Sequence, residues 1–289
     1  MKIAITGASG FIGGNLKDFL CSKNYNLKVL GRAGEFDEYL DLRKKNTIKK
    51  INLKNVDIFI HCASLSVNEF FRKKKVNKKN ILNNIYYELN SLHEILKKCK
   101  KYNIKRFIFL SSAFVYGKNK FNNPFKTGQV IHPTDLYGST KYAMEILGKK
   151  IFKNFISLRL FGVYGPNGIK DGVIPNVIKN KKILLGDCLQ VVDMIYYKDL
   201  NFLIEKIINS SKICRGAFNV GSGKPTILKN VVKKIIKIKG DGTIAKFKKT
   251  KIDKIPNFQY ADIKDLKKKL NWKPLYNLNR GLKELINEQ

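Results

Sequence analysis

Apolar positions in the first half of the chain follow two periods that take turns. Lys2–Thr6, Asn26–Leu30, Val56–His61, Arg106–Leu110 and Phe155–Phe161 are short runs dense in Ile, Val, Leu and Phe, which predicts buried strands. Between them, Phe11–Ser22, Ile81–Lys101 and Tyr137–Phe152 space their apolar residues three and four apart, which predicts amphipathic helices. Strands alternating with helices predict an α/β fold, a doubly wound parallel sheet covered on both faces. The alternation breaks after Gly162. Gly165-Pro166-Asn167-Gly168 reads as a loop, and Ile183–Leu185 and Val191–Tyr197 as short strands with Gly186-Asp187 between them. Helices are expected over Lys198–Asn209 and Leu228–Lys237, and from Leu278 onward; Ala217–Val220 reads as a strand returning to the main sheet. The expected division is therefore residues 1–161 as one domain and 162–289 as a smaller domain, mainly for substrate, with some segments rejoining the first sheet.

The first strand runs directly into Gly7-Ala8-Ser9-Gly10-Phe11-Ile12-Gly13 and then a helix. Three glycines at this spacing, at a strand–helix junction, mark a Rossmann-type dinucleotide site. Gly7 permits the turn, Gly10 lets backbone approach a pyrophosphate, and Gly13 lets the helix pack on the sheet. The N–H groups and positive dipole end of the helix face the anion.

Charge adds less than its size suggests. The net charge is +35, but fifty of the 57 basic residues are lysine and only seven are arginine, spread along all 289 residues. Nucleic-acid readers concentrate arginine forks in one patch, so this balance reads as solvated lysine-rich faces and no nucleic-acid partner is expected. Five cysteines (Cys21, Cys62, Cys99, Cys188 and Cys214) are odd in number and scattered, and there are only three histidines. Neither a disulfide framework nor a metal site is expected. No apolar run approaches the length of about 18 residues that a membrane span needs, which suggests a cytoplasmic protein without a membrane partner.

The candidate chemistry is Tyr137 and Lys141, one turn apart on a predicted helix, 25 residues beyond Ser112 at the end of a predicted strand. An ammonium beside a phenol is expected to lower the phenol's pKa from about 10, making it a proton donor and acceptor near neutrality. The Tyr-x-x-x-Lys spacing also occurs at Tyr116/Lys120 and Tyr260/Lys264, so spacing alone does not select it. Only Tyr137/Lys141 combines a preceding strand-end serine with a following amphipathic helix and strand.

With these motifs in order, the chain resembles the extended short-chain dehydrogenase/reductase family of the nucleotide-sugar epimerase/dehydratase type. The glycine loop, His61-Cys62-Ala63-Ser64, Asn83-Asn84, Ser111-Ser112 before Val115-Tyr116-Gly117, and Tyr137/Lys141 carry the likeness. So do Leu158-Arg159-Leu160-Phe161, Asp193-Met194-Ile195-Tyr196, Phe218-Asn219-Val220-Gly221 and Ala261-Asp262-Ile263. The resemblance implies Tyr137 as acid/base, Ser112 as hydroxyl catalyst, and Lys141 as partner of Tyr137 and ribose ligand. It puts Asp41-Leu42 at the adenine and Cys62-Ala63-Ser64 along the cofactor. Asn83, Asn84, Ser112 and Phe114 would contact a nucleotide-sugar substrate. His61 reads as a packed strand-end histidine.

Departures from the family narrow the choice. Family dehydratases follow the catalytic hydroxyl with Asp-Glu, where this chain has Ala113-Phe114; members that epimerise next to the ketone carry Cys and His where Phe114 and Asn167 stand. Hydride and proton exchange at one carbinol carbon remains. The second strand ends Leu30-Gly31-Arg32 with no acid, and an arginine there suits a 2′-phosphate, so NADP(H) is expected over NAD(H), with Glu35 or Asp37 as the route back to NAD. This favours an NADP(H)-dependent 4-keto nucleotide-sugar reductase feeding polysaccharide synthesis; the alternatives are an NAD-dependent 4-epimerase and a non-catalytic NADP-binding protein. Gly162 and Val192 stand where the family places Asn and Arg on the substrate diphosphate, with Lys170 or Lys254 as candidate replacements. A homodimer is expected through paired helices, with Leu89, Leu92 and Leu96 either its seam or part of the chain's own core.

Overall fold

A computed structural model describes residues 1–64, 78–119, 122–168, 172–211, 215–249 and 258–288. Lys170 and Lys254 lie outside these residues. The strands β1 (Lys2–Thr6), β2 (Asn26–Gly31), β3 (Glu38–Tyr39), β4 (Ile58–His61), β5 (Arg106–Ser112) and β6 (Phe155–Leu160) alternate with helices α1 (Phe11–Ser22), α2 (Lys45–Lys50), α3 (Lys78–Lys101) and α4 (Leu136–Ile151). With β10 (Gly216–Val220) they form a seven-stranded sheet of order β10-β6-β5-β4-β1-β2-β3, parallel throughout. β10 lies beside β6, as its apolar run predicts. The chain leaves β1 for β2 on one side and returns to β4 on the other. The crevice beyond the ends of β1 and β4 is thus the topological switch point, where sheets of this kind bind ligands.

Alternation along each strand divides two cores. Ile3, Ile5, Ile58, Ile60, Ile108 and Leu110 face α1, α6 (Tyr197–Asn209) and α8 (Lys264–Leu270), joining Leu16, Leu20, Leu203, Ile204 and Leu266. Ala4, Phe59, Phe107 and Phe109 face the other way, onto Leu92, Ile95 and Leu96 of α3 and Met144 of α4. Leu92 and Leu96 are fully buried there, and Leu89 packs against the same cluster. Of the two readings of these three leucines, the structure shows the chain's own core. At about 25 cal/mol per Å2 of apolar surface, each contributes on the order of 2 kcal/mol where it stands.

Residues beyond Leu160 add β7 (Gly162–Tyr164), α5 (Val173–Lys179), β8 (Lys182–Leu185), β9 (Val191–Tyr196), β11 (Pro225–Ile227), α7 (Leu228–Lys239), β12 (Ile244–Phe247) and α9 (Leu278–Asn287). β11-β9-β7 form one small sheet and β12-β8 another. Their apolar faces close a third core of Ile174, Val177, Leu185, Tyr196, Val231, Ile235 and Leu282. β8 and β9 do not pair with each other, although only Gly186-Asp187 and a few residues separate them. β8 pairs instead with β12, through non-local contacts that sequence neighbours cannot reveal. Among the described residues no helix is long and apolar enough to cross a membrane.

Candidate active site

The glycine loop is shaped for backbone approach. Gly7 has φ +77°, and a β-carbon there would lie 2.5 Å from the Ala63 nitrogen. One at Gly13 would run into the Gly7 carbonyl. Gly10 N–H donates to Gly7 O at 3.0 Å, closing the turn, and α1 begins at the next residue without a side chain capping its N–H groups. Gly7, Ser9, Gly10, Arg32, Asp41, Leu42, Cys62, Ala63 and Ser64 line one cavity of about 230 Å3. Nine residues singled out from separate motifs thus share a wall. Backbone with no room for a β-carbon, opposite a helix N-terminus, fits a dinucleotide pyrophosphate.

Arg32, Asp41 and Arg43 come together on one wall of this cavity. Asp41 is buried, and its carboxylate accepts the Arg43 N–H at 3.0 Å, Nε at 3.1 Å and a terminal guanidinium nitrogen at 2.9 Å. The Arg43 side-chain bonds, acting against burial and joined by the more distant Arg32, hold its pKa down at about 2. Arg43 also lines the cavity, beside Arg32. Of the other acids near the end of β2, Asp37 accepts from the Val29 N–H at 2.6 Å and Glu38 pairs with Lys28 at 2.6 Å, while Glu35 is exposed with Lys17 3.9 Å away. Reading the sequence missed Arg43. The available signal was its position two residues beyond Asp41, where an Asp side chain can accept the backbone N–H of residue i+2 in a turn.

Phe11, Ile12, Ser112, Phe114 and Tyr137 line a second cavity of about 310 Å3, with Val163, Val192, Met194 and Gln259 across from them. Tyr137 sits in the first turn of α4, capped by Asp135, whose Oδ1 accepts the Gly138 N–H at 2.8 Å. Gly138 carries no β-carbon because the Phe114 carbonyl occupies that space. This close approach sets the Tyr137 ring edge-on to Phe114 at 5.7 Å and brings its phenol within hydrogen-bonding reach of the Ser112 hydroxyl. Lys141 is buried one turn on, its Nζ donating to the Leu110 carbonyl at 3.1 Å and lying 4.9 Å from the Phe109 ring centre.

The electrostatics correct one expectation. Burial, reinforced by the Glu88 and Asp135 charges and opposed by the Ser112 hydrogen bond, pushes the Tyr137 phenol up to about 12 instead of down. The Lys141 ammonium is anchored on a carbonyl below the ring, 5.8 Å from its centre, and does not offset the desolvation of a phenolate. Burial lowers the Lys141 pKa too, with the Glu88 charge as the first influence opposing it. His61 is a packed histidine, as expected: burial drives its pKa down to about 3, and Nδ1 is 2.9 Å from the Thr6 hydroxyl. Burial also raises the Cys62 thiol to about 12, so the thiol stays protonated.

The asparagines separate. Asn84 lines the first cavity with Tyr87 and Glu88, rather than the second as expected, and Asn83 is exposed. Positions 84, 87 and 88 lie three and four apart on one helical face, and position 83 lies at its edge. Glu88 was not anticipated; it lies one turn beyond Asn84. Gly162 and Val192 both line the second cavity. A β-carbon on Gly162 would lie 2.7 Å from the Asp193 carbonyl oxygen and 2.8 Å from the Met194 sulfur, so the asparagine usual in the family has no room. Asp193 holds this wall together, accepting from Ser222 N–H and hydroxyl at 2.6 Å and from Gly223 and Ala261 N–H at 3.0 Å.

A parallel sheet with a pyrophosphate-shaped loop at its switch point and a Ser–Tyr–Lys cluster beside it defines a dinucleotide-dependent enzyme scaffold. The model of the NAD dependent epimerase/dehydratase family matches residues 3–221, and the chain belongs to that family. It is 28% identical to a putative UDP-glucose 4-epimerase of Methanocaldococcus jannaschii, over 99% of this chain and 97% of the relative. Its fold is similar to that of UDP-glucose 4-epimerase of Thermotoga maritima solved with UDP-glucose: TM-score 0.85, 22% identity, 99% of this chain and 98% of that one. It is also similar to RMD of Pseudomonas aeruginosa solved with NADPH: TM-score 0.83, 18% identity, 99% and 98% covered.

Proposed function

We propose that the protein is an NADP(H)-dependent reductase of a 4-keto nucleotide sugar. The observation that carries this reading is the pair Arg32 and Arg43 on one wall of the dinucleotide cavity, with the nearby Asp37, Glu38 and Asp41 already partnered. A ribose bearing a 2′-phosphate finds guanidinium donors there, whereas Asp41, the carboxylate beside them, is already engaged by Arg43. The dinucleotide, when bound, supplies or accepts hydride at its nicotinamide.

In this reading the glycine loop and the start of α1 hold the pyrophosphate, and Phe11 and Ile12, the next residues of the chain, line the second cavity. The ketone oxygen sits between Ser112 and Tyr137. Ser112 donates a hydrogen bond to it as charge develops, and Tyr137 delivers the proton. A phenol held neutral by burial is a donor in waiting, which suits reduction. Lys141 orients the ribose beside Tyr137. Ala113 and Phe114 leave no carboxylate for elimination of water. Residues 1–161 would then serve the cofactor and 162–289 mainly the substrate. We also propose a cytoplasmic homodimer through α3 and α4, on which Leu82, Tyr86 and Ile146 are 68%, 60% and 53% exposed.

The second reading, an NAD-dependent 4-epimerase, is supported by the activity named for the M. jannaschii and T. maritima relatives. The test is NADPH consumption on addition of a 4-keto sugar nucleotide. Net oxidation supports the reductase; interconversion of 4-epimers without net consumption supports the epimerase. In Tyr137→Phe, kcat falls by about 10^2–10^4 with cofactor affinity retained; unchanged turnover rejects the assigned role of Tyr137.

A further inference from the structure

Ser112 is the last residue of β5, and that end of the strand is held along one edge only. β4 stops at His61, which pairs with Phe109. Leu110, Ser111 and Ser112 therefore have a strand partner on the β6 side alone, ending with Ser112 opposite Leu160. Such an end has half the ladder of a central strand. A side chain there keeps one position only if something besides the sheet holds its backbone.

Helix α4 supplies that second hold. Tyr137, Lys141 and Glu145 follow one another at intervals of four on one helical face. Lys141 Nζ donates to the Leu110 carbonyl at 3.1 Å, and the Ser111 hydroxyl donates to Glu145 Oε1 at 2.6 Å. Tyr137 lines the second cavity together with Ser111 and Ser112. Glu145 is itself fixed from β6. Arg159, the cross-strand partner of Ser111, bonds both carboxylate oxygens, and the Ser157 hydroxyl donates to Oε1 at 2.9 Å. All of these side chains are buried. A carboxylate so fully engaged by donors from two adjacent strands is a rigid anchor, and Ser111 is its one link to the residue next to Ser112.

We propose that Glu145 is a positioning residue of the reaction centre, holding the end of β5 through Ser111 so that Ser112 keeps its place against Tyr137. The catalytic roles of Ser112 and Tyr137 rest on the reading above; the hold on the strand end rests on the hydrogen bonds alone. Arg159 and Ser157 make the anchor stiff, and Ser111 passes the constraint on. Loss of that link lets Ser112 drift from the phenol and from the ketone oxygen, and a misplacement of about 1 Å costs on the order of 100-fold in rate.

The test compares Ser111→Ala with Ser157→Ala in the full chain. Each removes one hydroxyl donor from the same oxygen of Glu145 and leaves the ion pair with Arg159 whole, but Ser157 lies opposite Phe109, back from the strand end. A merely structural role predicts the same behaviour from both. The first readout needs no substrate: NMR of protein carrying 13C at tyrosine Cζ, a carbon that senses hydrogen bonding of the phenol. The Tyr137 signal, identified by its loss in Tyr137→Phe, should shift in Ser111→Ala and stay in place in Ser157→Ala. The second readout is kcat in whichever of the two reactions above wild type catalyses. It should fall about tenfold or more in Ser111→Ala with dinucleotide affinity within about twofold of wild type, and stay within about twofold in Ser157→Ala. Equal shifts in the two variants, no shift in Ser111→Ala, or an unchanged kcat in Ser111→Ala overturns the proposal. If the Tyr137 signal shifts as expected but wild type turns over in neither reaction, the positioning stands and the functional reading is the one that fails.

Discussion

Replacing Arg159 by methionine should destabilise the protein by about 3–4 kcal/mol, the range found when one partner of a buried ion pair is removed. Arg159 and Glu145 have side chains only 6% and 7% exposed, at the join of β6 and α4. Nε of Arg159 lies 3.1 Å from both carboxylate oxygens of Glu145, and a terminal nitrogen lies 2.7 Å from Oε2. The other terminal nitrogen donates to the Tyr116 hydroxyl at 2.8 Å and to the Thr127 carbonyl at 3.1 Å. Methionine keeps the volume but leaves Glu145 with the Ser111 and Ser157 hydroxyls, at 2.6 and 2.9 Å, as its remaining donors. Those two bonds place the cost below the upper limit of about 5 kcal/mol for a charge stranded without help. The assay is urea unfolding, reading the midpoint at constant slope. Adding Glu145→Gln to Arg159→Met removes the stranded charge and should recover about 1–2 kcal/mol. A single variant within about 1 kcal/mol of wild type, or a double variant no better than the single, refutes the reasoning. The pair matters to the site because Glu145 sits on α4, one turn beyond Lys141 and two beyond Tyr137.

The glycine loop and the buried histidine give further tests. In Gly7→Ala a β-carbon meets the Ala63 nitrogen at 2.5 Å, and the φ of +77° adds a left-handed penalty of about 1–2 kcal/mol. Dinucleotide affinity by fluorescence titration should fall at least about tenfold, and unchanged affinity rejects the loop as the pyrophosphate site. His61 is held near a pKa of 3, while an unfolded histidine titrates near 6.5. Between those values the unfolded chain binds the extra proton, so the stability His61 contributes is whole above pH 6.5 and declines by about 1.4 kcal/mol per unit as pH falls toward 3. His61→Asn, which keeps an acceptor for Thr6, should flatten that decline in unfolding midpoints between pH 6.5 and 4; an unaltered slope contradicts it. Asp41, held at about 2 against an ordinary 3.8, contributes stability that is present above pH 4 and lost as pH falls through 2. Arg43→Leu should reduce that acid dependence while weakening NADPH more than NADH, and equal weakening argues against a 2′-phosphate contact.

What was legible in the sequence is what is local. Gly7, Gly10 and Gly13 fix the turn between β1 and α1 because the need for absent β-carbons is written at those positions. Strands β4, β5 and β6 and helix α4 follow from apolar period, and the Tyr137–Lys141 pairing from helical spacing. What failed depends on distant partners. The two-residue strand β3 and the β8–β12 pairing exist only through contacts across the chain. Arg43 and Glu88 enter the cavity through the way α3 and the segment after β3 pack, and neither belongs to a local motif. The raised Tyr137 phenol follows from burial by Phe114 and the neighbouring elements, which the Tyr-x-x-x-Lys spacing does not encode. Among the described residues, the cations that line the first cavity are the two arginines Arg32 and Arg43, and no lysine joins them.

The central claim is that the first cavity takes an exchangeable dinucleotide phosphorylated at the adenosine ribose. It is tested most directly by denaturing the purified protein, identifying any nucleotide released, and measuring NADPH and NADH affinities on the cofactor-free protein. The account predicts little retained cofactor and NADPH bound at least about tenfold tighter than NADH, the equivalent of one charge-assisted contact. Release of stoichiometric NAD, or equal affinity for the two, contradicts it and turns the assignment to the 4-epimerase.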